Sequence, residues 1–293
     1  MNTKKYKKLA KIYKALLDTY KKEVPNVEKI TKAMVEHKII ANEDEIINDH
    51  IAFRTLGVPN LGIASLEKIF LHYGYTKRDY YSFEGKKLNA YWYAPPKPEF
   101  PRVFLSELRV SELSDVAREV IYKYTSSVIS DPIDTIDLND VTAVNKFFVE
   151  PLWNLPTLKE YNTLLNESEY AAWTIYNRYY LNHYTISIHN LKGAYKSIEK
   201  FNEFIESLGI TLNSSGGKIK VSKDGLLKQS STMAELVLAK FSETDKAMIP
   251  GSYVEFAERL PLPSSGNSEK ISRREGFESA NADKIFESTY IKK

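Results

Sequence analysis

Apolar residues recur at Leu9, Ile12, Leu16, Leu17 and Tyr20, and again at Val27, Ile30, Met34 and Val35. Each set keeps the three- and four-residue spacing of one helix face, and Pro25 falls between them, so the spacing predicts two helices within residues 3–37. The next patterned stretch is Asp49-His50-Ile51-Ala52-Phe53-Arg54, a short apolar segment that carries an imidazole and a guanidinium. Read as an interior strand, it places His50, Ala52 and Arg54 on one face and Ile51 and Phe53 on the other. Gly57-Val58-Pro59-Asn60 breaks it, and Ile63 to Tyr73 reads as a helix stopped at Gly74. Three strands follow: Tyr75 to Phe83, Leu88 to Tyr93 and Arg102 to Leu108, the first two as a hairpin around Glu84-Gly85-Lys86.

Helical spacing returns from Leu113 to about Tyr124 and, rich in aromatics, from Thr157 to Tyr180, with an irregular connector over Ser126 to Trp153 between them. Then the first pattern repeats. Asn182 to His189 reads as a strand, Tyr195 to Leu208 as a helix stopped at Gly209, and Lys218–Val221, Ala234–Phe241 and Ser252–Leu260 as three strands. The expected fold class is therefore α+β, with two diverged βαβββ modules forming a half-barrel-type central sheet. The expected layout is N-terminal helices in 1–40, a first module in 45–110, a helical connector in 111–180, a second module in 181–262 and a C-terminal segment in 263–293.

Composition narrows the chemistry. With 293 residues and 43% hydrophobic content the chain can bury a large core. Its 41 basic and 38 acidic residues leave a net charge of +3, too little to point to nucleic acid or to an anionic membrane. The absence of cysteine removes disulfides, thiolate nucleophiles, iron–sulfur clusters and thiolate-bound zinc. A metal would have to be held by histidine, carboxylate and neutral oxygen donors. No leader-like apolar run follows the lysine-rich start and no uncharged stretch approaches 18 residues, which gives the expectation of a soluble, cytoplasmic protein. Asp131, Asp134, Asp137 and Asp140 recur every three residues, but without the central Gly and terminal Glu of an oxygen-ligand calcium loop, so they read as caps and turns.

Of five histidines, His37 and His72 sit at helix ends, where capping explains them. His50 and His183 each stand near the start of the first strand of a module, after an acid or amide, Asp49 and Asn182. If the two first strands meet, both imidazoles can face one cavity. His189 shares the side of His183 but lies six residues on, about 20 Å along a strand, and is not taken as a ligand. A third ligand is sought on a late strand, where Glu255 stands between Val254 and Phe256 and needs a partner if buried. A surface-facing Glu on an alternating edge strand stays open at this point. Two imidazoles and a carboxylate suit Fe(II) or another octahedral divalent ion with positions left for substrate and dioxygen.

DHIAFRT at 49–55, NHYTISIHNLKG at 182–193, GLLKQSSTMAE at 225–235, YVEFAERL at 253–260 and GFESANADKIFEST at 276–289 together resemble the 2-oxoadipate dioxygenase/decarboxylase family of the vicinal oxygen chelate superfamily. The resemblance implies an Fe(II) enzyme in which a 2-oxo acid supplies electrons by its own decarboxylation. It further implies that the substrates are 2-oxoadipate and dioxygen and the products 2-hydroxyglutarate and carbon dioxide, within lysine catabolism. It also implies that His50, His183 and Glu255 hold the iron, that Arg54 binds a substrate carboxylate, and that Gln229 and Ser231 face the site. Two other readings stay open: a metal-dependent isomerase or lyase with Glu255 or Glu258 as proton carrier, and a non-catalytic small-molecule binding module. The expected partners are the oxo acid and dioxygen, with neither nucleic acid nor membrane.

Overall fold

Pro25 separates the first two helices as the spacing predicts. In the computed structural model, which describes residues 2–242, 244–263 and 271–290, α1 spans Asn2–Glu23 and α2 Pro25–Glu36. The first module follows in order: β1 (Asn48–Leu56), α3 (Ile63–His72), β2 (Thr76–Phe83), β3 (Leu88–Ala94) and β4 (Arg102–Leu108). The connector holds α4 (Asp115–Thr125), α5 (Val141–Val149), α6 (Leu158–Glu167) and α7 (Glu169–Asn177). Side-chain caps start these helices. Ser114 accepts from Ala117 N, Ser168 accepts from Ala171 N, and Thr157 and Glu160 form a reciprocal capping box. The spaced acids behave as caps and turns: Asp131, Asp137 and Asp140 accept from the backbone N–H of Ile133, Asn139 and Thr142, and Asp134 pairs with Lys68.

The later elements are β5 (His183–Ser187), α8 (Ile198–Ser207), β6 (Lys220–Val221), β7 (Leu227–Ser231), β8 (Leu236–Lys240), β9 (Lys246–Pro250), β10 (Tyr253–Arg259) and α9 (Ser279–Ile285). Strand, helix and three strands therefore do occur twice, as β1-α3-β2-β3-β4 and β5-α8-β6-β7-β10. The second set corrects the sequence reading in one strand. Its middle strand is Leu227–Ser231, whereas the residues of the expected strand Ala234–Phe241 pair with Lys246–Pro250 in a separate two-stranded hairpin. Leu236 and Leu238 alternate like strand residues yet point to solvent, 50% and 62% exposed. Lys228-Gln229-Ser230-Ser231 looks like a turn by composition, but Gln229, Ser230 and Ser231 are buried because each side chain finds a buried polar partner.

Contacts divide the chain into two units, each assembled from three stretches. One contains the chain up to Lys22, Ala52–Asn182 and Leu236–Pro250; its strands run β2-β3-β4 antiparallel, with the second half of β1 beside β4. The other contains Glu23–Ile51, His183–Glu235 and Gly251–Lys293. Here the first half of β1 lies beside β5, β5 runs parallel to β10, β10 antiparallel to β7, and β7 antiparallel to β6. β10 is buried along its whole length. Val254 and Phe256 are fully enclosed, each contributing roughly 1.5–3 kcal/mol of apolar burial, so the charged residues between and beyond them must be paired. Among the described residues no helix is long and apolar enough to cross a membrane.

A candidate metal centre

The second unit brings His50, His183 and Glu255 together from β1, β5 and β10. Register does this. Glu255 pairs with Thr185 and Tyr253 with His183 on the parallel β5, so alternation turns His183, Thr185, Tyr253 and Glu255 to the same face. All three candidate ligands are buried, and one donor atom from each lies within 4.8 Å of the others. Glu255 Oε2 is 3.1 Å from His183 Nε2 and 3.5 Å from His50 Nε2, and the two imidazole rings are set at 87°. Nitrogen and oxygen ligands about 2.1 Å from one ion and at right angles to each other would stand about 3 Å apart, so these donors are spaced for a single ion. Buried polarity of this kind, two imidazoles and a carboxylate converging without an apolar purpose, fits a divalent metal.

The surroundings fix the candidate ligands. His50 Nδ1 is 2.9 Å from Asp49 Oδ1, which commits Nδ1 to the carboxylate and leaves Nε2 facing Glu255. Asp49 is in turn gripped by Arg259, whose Nε and Nη2 donate to its two oxygens at 2.6 and 2.9 Å. Arg259 Nη1 also donates to the carbonyls of Gly276 and Arg274, and Phe277 packs edge-on to His50 with centroids 4.8 Å apart. Tyr253 stacks on His183 at 4.7 Å. Thr185 Oγ1 lies 3.0 Å from His50 Nε2.

Burial alone would favour neutral groups. It opposes charge on Glu255, but the imidazoles of His50 and His183 beside it hold its carboxyl well below the usual carboxylate range. For His50, burial pulls the imidazole down, and the Glu255 and Asp49 carboxylates more than offset this and raise it. Nearby Lys220, enclosed on β6, is pulled down to about 8 by burial, against the attraction of Glu255 and Glu287.

The remaining expected residues fall as follows. Gln229 Nε2 donates to Glu255 Oε1 at 2.7 Å. Ser231 pairs in register with Glu255, and its hydroxyl is 2.8 Å from that of Ser288. Arg54 lies in the other unit, 1% exposed, with its guanidinium 5.0 and 5.1 Å from the ring centres of Tyr170 and Trp173. Glu258 points to the opposite face of β10 and accepts from Ile198 N at the start of α8, where a carboxylate caps a helix. The strand expected to carry His189 ends at Ser187. A one-turn helix over Ile188–Asn190 brings the His189 ring to the end of β10, where its Nδ1 accepts from Arg259 N. Asp49 was visible in the sequence only as the acid before His50, and Arg259 only as one residue of a quoted motif; the signal that marks Arg259 is a charge at the end of a strand otherwise fit for burial.

Comparison with known proteins places the chain in a family. A family model described as 2-oxoadipate dioxygenase/decarboxylase matches residues 12–269. The chain is 43% identical over 275 residues to a chloroplastic 2-oxoadipate dioxygenase/decarboxylase of Arabidopsis thaliana, spanning 88% of this chain and 72% of the relative. It is 42% identical over 288 residues to a chloroplastic/amyloplastic one of Oryza sativa, spanning 91% and 77%. The crystal structure of hydroxyglutarate synthase from Oryza sativa in complex with 2-oxoadipate superposes with a TM-score of 0.85 at 41% identity, over 95% of this chain and 90% of that one. A glyoxalase-superfamily protein of Ralstonia eutropha shares the fold alone, with a TM-score of 0.70 at 22% identity over 85% and 82% of the two chains. The cytoplasmic location expected from the sequence is withdrawn, because both plant relatives are described as plastid proteins. With a family model covering most of its length and two relatives above 40% identity, this chain belongs to the 2-oxoadipate dioxygenase/decarboxylase family of enzymes.

Proposed function

We propose that this enzyme binds Fe(II) and converts 2-oxoadipate and dioxygen into 2-hydroxyglutarate and carbon dioxide. The observation that carries the reading is the buried triad in which Glu255 Oε2 stands 3.1 and 3.5 Å from the two imidazole nitrogens, all three donors lying within 4.8 Å of one another. Its support is the family and a relative solved with 2-oxoadipate bound. His50, His183 and Glu255 would hold the iron. When bound, Fe(II) supplies positions for chelating the oxo acid and the one-electron chemistry that dioxygen requires.

The protein's own residues set the conditions. Asp49 keeps His50 in the tautomer that presents Nε2, and Arg259 neutralises Asp49, so the only uncompensated anion among these groups is Glu255. A divalent ion there would leave a net positive centre matched to an anionic oxo acid. Phe277 packs edge-on to His50 and Tyr253 stacks on His183, and both imidazoles are buried from water. Arg54, on the same strand face as His50, would bind the distal carboxylate through a forked pair of hydrogen bonds. Gln229 and Ser231 would complete the polar wall. The isomerase alternative loses Glu258, which serves α8.

The test is stoichiometry. Protein purified without oxygen, given Fe(II) and 2-oxoadipate alone, should consume one dioxygen per carbon dioxide and per 2-hydroxyglutarate, with one labelled oxygen atom in the new hydroxyl. An absolute need for added 2-oxoglutarate, or turnover with zinc in the absence of oxygen, would refute it.

A further inference from the structure

Gln229 and Asn281 form a chain of fixed polarity that ends on Glu255. The carbonyl of Lys220 can only accept, so the group facing it at 3.3 Å must be the NH2 of Asn281. The same Asn281 Nδ2 donates to Gln229 Oε1 at 3.0 Å, which turns the Gln229 amide so that Nε2 donates to Glu255 Oε1 at 2.7 Å. Gln229 and Asn281 are each 2% exposed, so no solvent competes for these bonds. Register keeps the chain in line: Gln229 pairs with Lys220 on β6 and with Ala257 on β10, one step along the same face from Glu255.

The two oxygens of Glu255 are thereby made unequal. Oε1 is held by the amide, while Oε2 faces both imidazoles. We infer that Gln229 and Asn281 are positioning residues that keep Glu255 a one-oxygen ligand. The inference rests on the metal reading proposed above, and it explains why that site needs the relay. A six-position divalent ion held by three protein donors would have three positions left for the oxo acid and dioxygen. A carboxylate turning both oxygens inward would take one of the last three. The relay holds Oε1 away, although neither relay residue touches the ion.

Cobalt(II) titrated into the metal-free protein without oxygen tests this apart from turnover, since the intensity of its visible bands falls as coordination number rises. Gln229→Met keeps the bulk and removes the donor; Asn281→Leu leaves Gln229 and Glu255 in place but frees the amide to turn over. Both variants should bind cobalt about 10- to 100-fold more weakly, the usual effect of losing a group behind a ligand. Their visible bands should weaken relative to the wild-type complex, with metal-free Asn281→Leu still folded, its melting temperature lowered only by the buried hydrogen bonds it loses. Wild-type affinity and an unchanged cobalt spectrum in Asn281→Leu would overturn the relay while leaving the metal site intact. A wild-type protein that takes up no ion would instead overturn the metal reading itself and the relay with it.

Discussion

Replacing Arg259 with Met should destabilise the protein severely, through a carboxylate on the far side of the sequence. Arg259 and Asp49 are 210 residues apart, each with a side chain 1% exposed, and joined by two bonds of 2.6 and 2.9 Å. Removing one partner of such a pair leaves the other charge buried and uncompensated, a loss of about 3–5 kcal/mol. Against a total stability of about 5–15 kcal/mol this is a fifth or more, equivalent to a fall of roughly 6–20 °C in Tm. Asp49→Asn should do similar damage from the other side, because it strands the guanidinium. The double variant carries neither charge and should lose no more than either single variant, so the two effects fail to add. Urea and thermal unfolding of the metal-free proteins, followed by far-ultraviolet circular dichroism, would measure all three. An Arg259→Met midpoint within about 1 kcal/mol of wild type would refute the reasoning, as would additivity in the double variant.

His50→Ala, His183→Ala and Glu255→Ala should each abolish activity and metal uptake while the fold persists; metal analysis showing a full complement of iron in any of them would exclude that residue as a ligand. Arg54→Lys should bind iron normally yet lose about 10- to 150-fold in kcat/KM for 2-oxoadipate, since an ammonium cannot reproduce a charge-assisted fork worth roughly 1.5–3 kcal/mol; near-normal turnover would end that assignment. In the metal-free protein the raised His50 adds stability that is complete below its ordinary value of 6.5 and lost as pH climbs through the folded value. The lowered Glu255 adds stability above 4.5 that is lost only in strong acid. Melting should therefore be higher at about pH 5.5 than at about pH 8 for the metal-free protein, while iron affinity, which requires a neutral imidazole, should change in the opposite sense.

Much of this was legible in the chain because period-2 alternation is a local property. His50 on β1, His183 on β5 and Glu255 on β10 could each be placed on a strand face from their immediate neighbours. The repeat of strand, helix and strands then made a common site plausible before any geometry was known. What stayed hidden depends on register and on distant partners. Nothing local tells that Gln229 donates to Glu255, because that bond follows from Ala257 pairing with Gln229 across β7 and β10. The buried Ser230 and Ser231 resembled a turn because intrinsic preference gives no weight to Asn202 and Ser288, their partners from elsewhere in the chain. Leu236 and Leu238 misled in the other direction, since alternation marks a strand without saying which sheet receives it. Arg259 required knowing that Asp49 would be buried opposite it.

The order in which the ribosome delivers this chain now acquires a meaning. The unit that holds the triad takes its pieces from Glu23–Ile51, His183–Glu235 and Gly251–Lys293, with Ala52–Asn182 and Leu236–Pro250 made in between. His50 leaves the exit tunnel long before Glu255, and the arginine that clamps the acid behind it comes 210 residues after that acid. Until Glu255 is made, the nascent chain cannot offer a metal all three of these donors at once. The three candidate ligands can meet only after Glu255 has been made, and contacts so remote in sequence are slow to form. On the metal reading proposed above, capture of an ion by the full triad would therefore wait for the synthesis of Glu255 instead of accompanying that of His50.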